Sequence, residues 1–364
     1  MPPGLGLVRW KLRGLPSGRP AHSSFVPRLT SGWRAIWGAV FCVLLWPAAP
    51  VLGWSFAGHM LCGSRVYTLL RERDPGRVAE WATVLRAHPH YAGEWRAICA
   101  ELPPEREAEV LFMLAARWPD DVRDPPWRAV HHRRAWHFVN YTLRFPGAPA
   151  EVPDGIIPAT PEPGEDPEGC HQLETALAYN LKRIKGDLPA ERRAVALCWV
   201  LHLASDLHQP LHAINRYSLR APKGDRGGNS AFILERPEDP PTNLHAFWDN
   251  RLLSQLTGAG VLKSTPGALA GEIREVWQFA DVWSQRPDLD PTGWPELKRT
   301  ALAEWAAESV ALARGVAYDE GRLEVGGQPD QAVPLPAGYA DRATRAAERR
   351  MQLSIARLVE LLRP

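Results

Sequence analysis

Residues 190–207, AERRAVALCWVLHLASDL, are apolar around nearly the whole helical circumference once the first turn is passed. A helix of that kind belongs inside a core rather than on its surface. Yet this one carries His202 and Asp206. An unpaired buried carboxylate costs several kcal/mol, so Asp206 must either find a partner or bind a metal. One segment thus constrains the fold and marks a site.

The rest of the chain can supply the core that such a helix needs, since 45% of its 364 residues are apolar and only 23% are charged. Leu173, Ala176, Leu177, Leu181 and Ile184 recur at spacings of three and four, which predicts a helix over 171–185 stopped by Gly186. Residues 295–318 and 339–362 repeat the pattern at greater length. The run PGAPAEVPDGIIPATPEPGEDPEG from Pro146 reads as a solvated loop, and SAFILE from Ser230 is the one short candidate strand. There is no internal repeat. The fold class that follows is all-α, a single-domain helix bundle with long irregular loops.

The first 53 residues differ from the rest. Their only charged residues are Arg9, Lys11, Arg13, Arg19, Arg28 and Arg34, and the apolar run AIWGAVFCVLLW starts at Ala35. That order, ending in PAAPVLG, is the order of a secretory signal peptide cut before Trp54. The alternative is an uncleaved anchor, for which the apolar run is short. The expected division is therefore a signal peptide over 1–53 and a catalytic domain over 54–364, secreted or periplasmic, with no stable membrane insertion. Removing six positive charges takes the formal net charge from +2 to −4, so no general basic surface advertises duplex DNA. Cys62, Cys99, Cys170 and Cys198 remain, an even number that permits disulfides in an exported chain without choosing among pairings. Cys198, inside an apolar helix, could equally be a free core residue.

Residues four apart on a helix share a face, so His202 and Asp206 can aim an imidazole and a carboxylate at one point. His245 and Asp249 repeat that spacing, and His208 and His212 follow in HQPLH. One such pair is commonly a surface hydrogen bond. Three, two of them in apolar surroundings, point to nitrogen and oxygen ligands for zinc or another borderline metal.

The strings HLASDLHQPLH and NLHAFWD together resemble the S1/P1 family of trinuclear zinc nucleases, and four further segments extend the likeness. WSFAGH supplies Trp54, Gly58 and His59. WPDDVR supplies Asp120 and Arg123, with Pro119 where the family usually has alanine. HFVN gives His137, Phe138 and Asn140, and DRGGN spans Asp225 to Asn229. The match in motif order runs from Trp54 to Asn250. The last helix is similar to the family's but lacks its Ala-Gly step.

The resemblance implies a phospholipase C/P1 nuclease-like fold and three zinc ions. Asp120, His137, His202 and Asp206 would hold one, and His212, His245 and Asp249 a second. The third would take His59, Asp206, and the α-amino nitrogen and carbonyl oxygen of Trp54. His208 is then a structural hydrogen-bonding residue. Asp121 and Asp124 lie too close to Asp120 for spacing to exclude them. His131 and His132 read as solvated basic-loop residues. Asp120 and Asp206 would act in catalysis together with Arg123, whose fork suits phosphate but would equally make a structural salt bridge. Phe138 reads as a base-stacking platform or as core, and Asn140 and Asn250 as substrate contacts.

The implied activity is hydrolysis of single-stranded DNA and RNA to 5′-phosphorylated products, with 3′-nucleotidase activity, by a secreted monomer. A zinc phospholipase C-type phosphodiesterase and a non-catalytic secreted zinc-binding protein are the alternatives. Against the first stand the five-residue step from Trp54 to His59, Asp249 in place of Glu, and the HFVN segment.

Overall fold

The expected core helix forms over Ala190–Asp206, and every residue from Ala196 to Asp206 is buried. The computed structural model describes residues 54–123, 127–158, 169–253 and 265–363, all within the unit Ala49–Pro364. The signal peptide expected over 1–53 lies outside the described residues, as does Asp124.

The helices in chain order are α1 (Phe56–Arg73), α2 (Pro75–Arg86), α3 (Arg96–Ala100), α4 (Glu107–Asp121), α5 (Arg128–His131) and α6 (Leu173–Lys185). They continue with α7 (Ala190–Asp206), α8 (Leu244–Asp249), α9 (Pro266–Ser284), α10 (Leu302–Leu312) and α11 (Tyr339–Leu362). Local chemistry sets several of their ends. Ser55 Oγ accepts the Gly58 amide at the start of α1, and Asp74 caps α2 with Pro75 at its first position. Asn243 Oδ1 accepts Ala246 N–H at 2.7 Å to open α8. Gly186 ends α6 as expected.

α7 packs against α4 and α6, and also against α2 and α11, while α1 lies along α4. Gly63 permits that last approach, because a Cβ there would collide with the Phe112 carbonyl. The all-α expectation therefore holds. Among the described residues no helix is long and apolar enough to cross a membrane.

Three expectations need correction. The predicted helix over 295–318 is broken into a 3-10 turn at Pro295–Lys298, α10, and a π turn at Ala313–Ala317. Arg299 and Ala301 are extended there; Trp305 Nε1 donates to the Arg299 carbonyl, and Glu304 turns back to accept Ala301 N–H at 3.1 Å. The apolar spacing runs through a break whose bonds it does not encode.

Strands are also more numerous than expected. SAFILE yields β3 (Phe232–Leu234), but β1 (Tyr141–Arg144), β2 (Ile214–Tyr217), β4 (Thr242–Asn243) and β5 (Val333–Pro334) were not signalled. β1 pairs parallel with β2, Tyr141 opposite Ile214, and β3 lies between β4 and β5. Such short pieces owe their form to partners distant in sequence, which periodicity cannot see.

Finally, no disulfide joins Cys62, Cys99, Cys170 and Cys198 among the described residues. Cys62 faces Ser354 at 3.9 Å, with burial pushing its thiol up to about 12, and Cys198 is a core residue of α7.

Candidate metal centre

The site gathers where α7 ends. His202 and Asp206 leave its last turns, Asp120 comes from the last turn of α4, and His59 from the first of α1. His137 closes a 3-10 turn, His212 lies in the turn after α7, and α8 carries His245 and Asp249 one turn apart. All eight side chains are buried. The α1 start is drawn in by Trp54, whose Nε1 donates to the Ser205 carbonyl at 2.9 Å, and by Ser55 N–H, which donates to the Asp249 carbonyl at 3.0 Å. The beginning of α1 is thus tied to residues beside Asp206 and to Asp249 itself.

Four of the five histidines have their ring orientation set by an acceptor at Nδ1. The acceptors are the Ala116 carbonyl for His202 (2.8 Å), the His137 carbonyl for His212 (2.6 Å) and the Gly227 carbonyl for His245 (2.7 Å). His59 Nδ1 lies 3.0 Å from Ser205 Oγ, whose own proton goes to the His202 carbonyl. Each Nδ1 therefore carries the hydrogen, and each Nε2 is left with its lone pair facing inward.

His212 Nε2 and His245 Nε2 face each other at 3.2 Å, and His202 Nε2 faces His137 Nδ1 at 3.0 Å. Two lone pairs pointed at each other repel unless a cation sits between them, and nitrogens on one tetrahedral zinc are about 3.3 Å apart. The carboxylates agree. Both oxygens of Asp206, Asp120 Oδ2 and His59 Nε2 are buried without a hydrogen-bond partner. Asp206 Oδ2 lies 3.1 Å from His202 Nε2 and 3.3 Å from His137 Nδ1, and its Oδ1 lies 3.4 Å from His59 Nε2. Three groupings place ligand atoms within 4.8 Å of one another: His59 with Asp120 and His202, His137 with His202 and Asp206, and His212 with His245 and Asp249. These nitrogen and oxygen donors are of the kind that holds zinc, although His59 groups here with Asp120 and His202 rather than with the Trp54 terminus expected beside it.

The charge states differ across the cluster: burial opposes protonation of His202, but Asp206 and Asp120 raise its pKa above the ordinary imidazole value. Burial lowers His59, and brings His137 down to about 4, so both stay neutral and able to donate a lone pair. Burial opposes ionisation of Asp120, but Arg123 and the neighbouring histidines hold it down at about 2. Asp206 is held well below the usual range against the same burial, mainly by His202 and His212. Asp249 is the exception, pushed up by burial despite His245. A divalent cation among His212, His245 and Asp249 is the charge that would restore its anion.

Other expected residues separate clearly. Asp121 turns away to Arg117 Nε at 3.0 Å, which leaves Asp120 as the carboxylate in the cluster. Arg123 ion-pairs with Asp120 through Nη2, while its buried Nη1 has no hydrogen-bond partner, so one half of the fork is committed and the other is not. His208 lies outside the cluster, bonded to the Ala204 carbonyl and to Arg357, as the structural reading has it. His132 is buried rather than solvated, and His131 is half-buried at the end of α5. His131 packs edge-on to Trp118 at 5.1 Å, and His132 is buried 6.4 Å from the His137 ring. Phe138, Asn140 and Asn250 are half-buried, and Asn250 Nδ2 donates to the Ala246 carbonyl.

Sequence reasoning did not single out the residues that aim the ligands. Gln209 donates to Asp249 Oδ1 at 2.6 Å, and Ser205 orients His59. Within DRGGN, Asp225 accepts from Tyr318 Oη at 2.6 Å and pairs with Arg216 at 3.1 Å. That post fixes the loop whose Gly227 carbonyl holds His245. Gly227 adopts φ 63°, and a Cβ there would strike the Leu211 carbonyl, which is the close backbone approach its residue type suggests. Tyr318 carries no sequence signal at all, because its partner lies 93 residues away.

The S1/P1 nuclease family model matches residues 54–364. Endonuclease 4 of Arabidopsis thaliana is 31% identical over 126 residues, which is 34% of this chain and 37% of that protein's length. The aligned part is thus little more than a third of either protein, and the family match carries the rest. With motifs in order, the ligand atoms converged and the family match beginning at Trp54, the chain belongs to the S1/P1 nuclease family.

Proposed function

We propose that the chain is a zinc-dependent nuclease that cleaves single-stranded DNA and RNA to 5′-phosphorylated ends and also acts on 3′-mononucleotides. The observation that carries this reading is the facing of His212 Nε2 and His245 Nε2 at 3.2 Å with both Nδ1 protons committed to carbonyls. Asp120, His137, His202 and Asp206 would hold one zinc, and His212, His245 and Asp249 another. His59, Asp206 and the terminal amine and carbonyl of Trp54 would hold the third. When bound, such ions supply a nucleophilic water at neutral pH and neutralise the charge that builds on phosphate and leaving oxygen.

The chain's own residues do the positioning. Arg123 offers its uncommitted Nη1 to a phosphate oxygen while Nη2 stays on Asp120. The half-buried Phe138 ring is outside the main hydrophobic core, which favours a stacking role over a packing one. Asn140 and Asn250 are the groups proposed to meet base and sugar edges. We further propose export, with cleavage before Trp54, a reading supported by the basic and apolar pattern ahead of it and by the burial of Trp54 beside Ser205.

The test is hydrolysis of single-stranded DNA, RNA and a 3′-mononucleotide by protein starting at Trp54, with and without chelator. Activity abolished by chelation and restored by zinc is expected; turnover that survives chelation overturns the reading. An extra methionine before Trp54 should slow turnover at least about tenfold, because an amide nitrogen has no lone pair to give. Equal rates at matched zinc content would remove Trp54 from the ligand set.

A further inference from the structure

β1 and β2 both start beside metal ligands and run outward together. Val139 N–H, just ahead of β1, donates to the His212 carbonyl at 2.8 Å, and the strands stay in register from Tyr141 opposite Ile214 to Arg144 opposite Tyr217. Strands of that length span about 13 Å, so the loops that follow them stand clear of the metal cluster.

Those loops meet in an apolar lip. Leu219 N–H donates to the Pro146 carbonyl at 3.4 Å, and Ser218 and Ala221 exchange backbone bonds at 3.3 and 3.1 Å. Gly147, at φ 79°, lets the first loop lie against Leu219, because a Cβ there would come 2.7 Å from that of the leucine. The Leu219 backbone is thus held from two sides while its side chain is 78% exposed, more than any other large apolar residue among the described residues. Pro146 and Pro222 are exposed with it. One exposed leucine on a surface is ordinary, but an apolar tip assembled from two loops and fixed by backbone bonds calls for a partner.

The charge at the tip has one sign. Arg220 and Lys223 are exposed with no carboxylate partner among the described residues, whereas Arg236 pairs with Asp239 at 2.9 Å and Arg322 with Asp319 at 3.0 Å. Asp225, which follows in sequence, is buried and committed to Arg216 and Tyr318. No aromatic face is open there: Tyr217 is buried, and Phe145 lies under Arg314 at 5.3 Å and edge-on to Tyr318 at 6.0 Å. A nucleic-acid strand would find cations but no ring to stack on, and would leave Leu219 in water. An apolar tip flanked by cations matches instead the boundary between headgroups and acyl chains of an anionic bilayer.

We propose that this lip docks on an anionic phospholipid surface, with Leu219 entering the acyl boundary while Arg220 and Lys223 meet headgroup phosphates. The proposal needs neither zinc nor the nuclease reading. The formal net charge after Gly53 is −4, so attraction to such a surface has to come from a local concentration of cations. A contact of this size is reversible, and holds the metal centre about one strand length from the lipid.

The test uses protein starting at Trp54, which keeps the apolar run from Ala35 out of the assay. Zinc-chelated protein is sedimented with vesicles of phosphatidylcholine alone, or of phosphatidylcholine mixed with phosphatidylglycerol. Binding to the mixed vesicles only is expected, and high salt should remove most of it. Arg220→Gln with Lys223→Gln should weaken it about 25-fold, at about fivefold for each cation. Leu219→Ser, which leaves the charge alone, should weaken it about tenfold. Thermal midpoints should match wild type, and in zinc-loaded protein so should KM for a decathymidylate strand. Wild type that ignores the mixed vesicles overturns the proposal, as does wild-type vesicle affinity in both variants. Wild-type affinity in Leu219→Ser alone also overturns it, because cations without insertion then account for the binding. A KM that rises in the Arg220 and Lys223 variant, with vesicle binding unchanged, assigns the surface to nucleic acid instead.

Discussion

Glu308 is half-buried and Asp206 fully buried, and the chain partners the two carboxylates in opposite ways. Glu308 on α10 receives Arg350 at 2.5 Å and Arg357 at 2.8 Å from α11, and Arg299 at 2.9 Å. Arg357 also reaches the Glu296 carbonyl and His208, and Arg350 reaches Ser309. The carboxylate there is satisfied by protein, and the network clamps α11 to the turn that follows α7. At Asp206 the nearest polar groups are imidazole nitrogens at 3.1 Å or more, no arginine or lysine pairs with it, and neither oxygen has a hydrogen bond. Buried ions of the first kind are structural. Those of the second kind are poised for a cation from outside the chain.

That contrast breaks most easily at Asp206. Asp206→Asn should abolish zinc retention at two of the three proposed positions and lower turnover by on the order of 10³-fold. In chelator, however, its melting loss should be small beside that of Glu308→Gln, since Asp206 has no hydrogen bond to lose. Metal analysis and melting curves with and without zinc check both; a large loss of metal-free stability would place Asp206 with Glu308.

Glu308→Gln should behave inversely. It leaves two buried guanidiniums without their anion and should cost about 3 kcal/mol of stability, with zinc content unchanged. Burial would raise the Glu308 carboxyl, but hydrogen bonds from Arg357, Arg299 and Arg350 hold it at about 2, against an ordinary 4.5. A depressed carboxyl contributes its full stability above the ordinary value and loses it as pH falls toward the depressed one. Denaturant midpoints should therefore fall more steeply from pH 4.5 to 2 in wild type than in Glu308→Gln. Equal slopes would show that the network is not the source.

Tyr318→Phe sharpens the comparison, because it touches the metal site only through Asp225 and the Gly227 carbonyl. It should cost about 1.5 kcal/mol in stability and weaken zinc at the His212, His245 and Asp249 position about tenfold. Zinc titration showing all positions unchanged would confine Tyr318 to packing. The smallest effect is expected at Phe138→Ala, about 1 kcal/mol in strand binding, seen in KM with the melting temperature unchanged. A lowered melting temperature with wild-type KM would assign the ring to the core.

Much of the site was legible in advance for a physical reason. His202 with Asp206, and His245 with Asp249, are local pairs set four apart by helix geometry, and buried polar residues in an apolar helix need a partner. His59, Asp120 and His137 were reachable only through family resemblance, since nothing local ties them together. The break at Arg299 and the strands β1 and β2 were not legible, because each depends on a neighbour remote in sequence. His131 and His132 were misjudged for the same reason: Trp118 and His137 pack over them from other elements.

By itself, then, the sequence determined the helical class, the core position of α7 and the local pairs His202 with Asp206 and His245 with Asp249 as candidate ligands, since periodicity and residue type act over a few residues. Tertiary structure alone decided which atom of each ligand faces inward. The carbonyls of Ala116, His137 and Gly227 make that choice by taking the Nδ1 protons, and a backbone carbonyl has the same chemistry at every position until the fold brings it beside a particular ring.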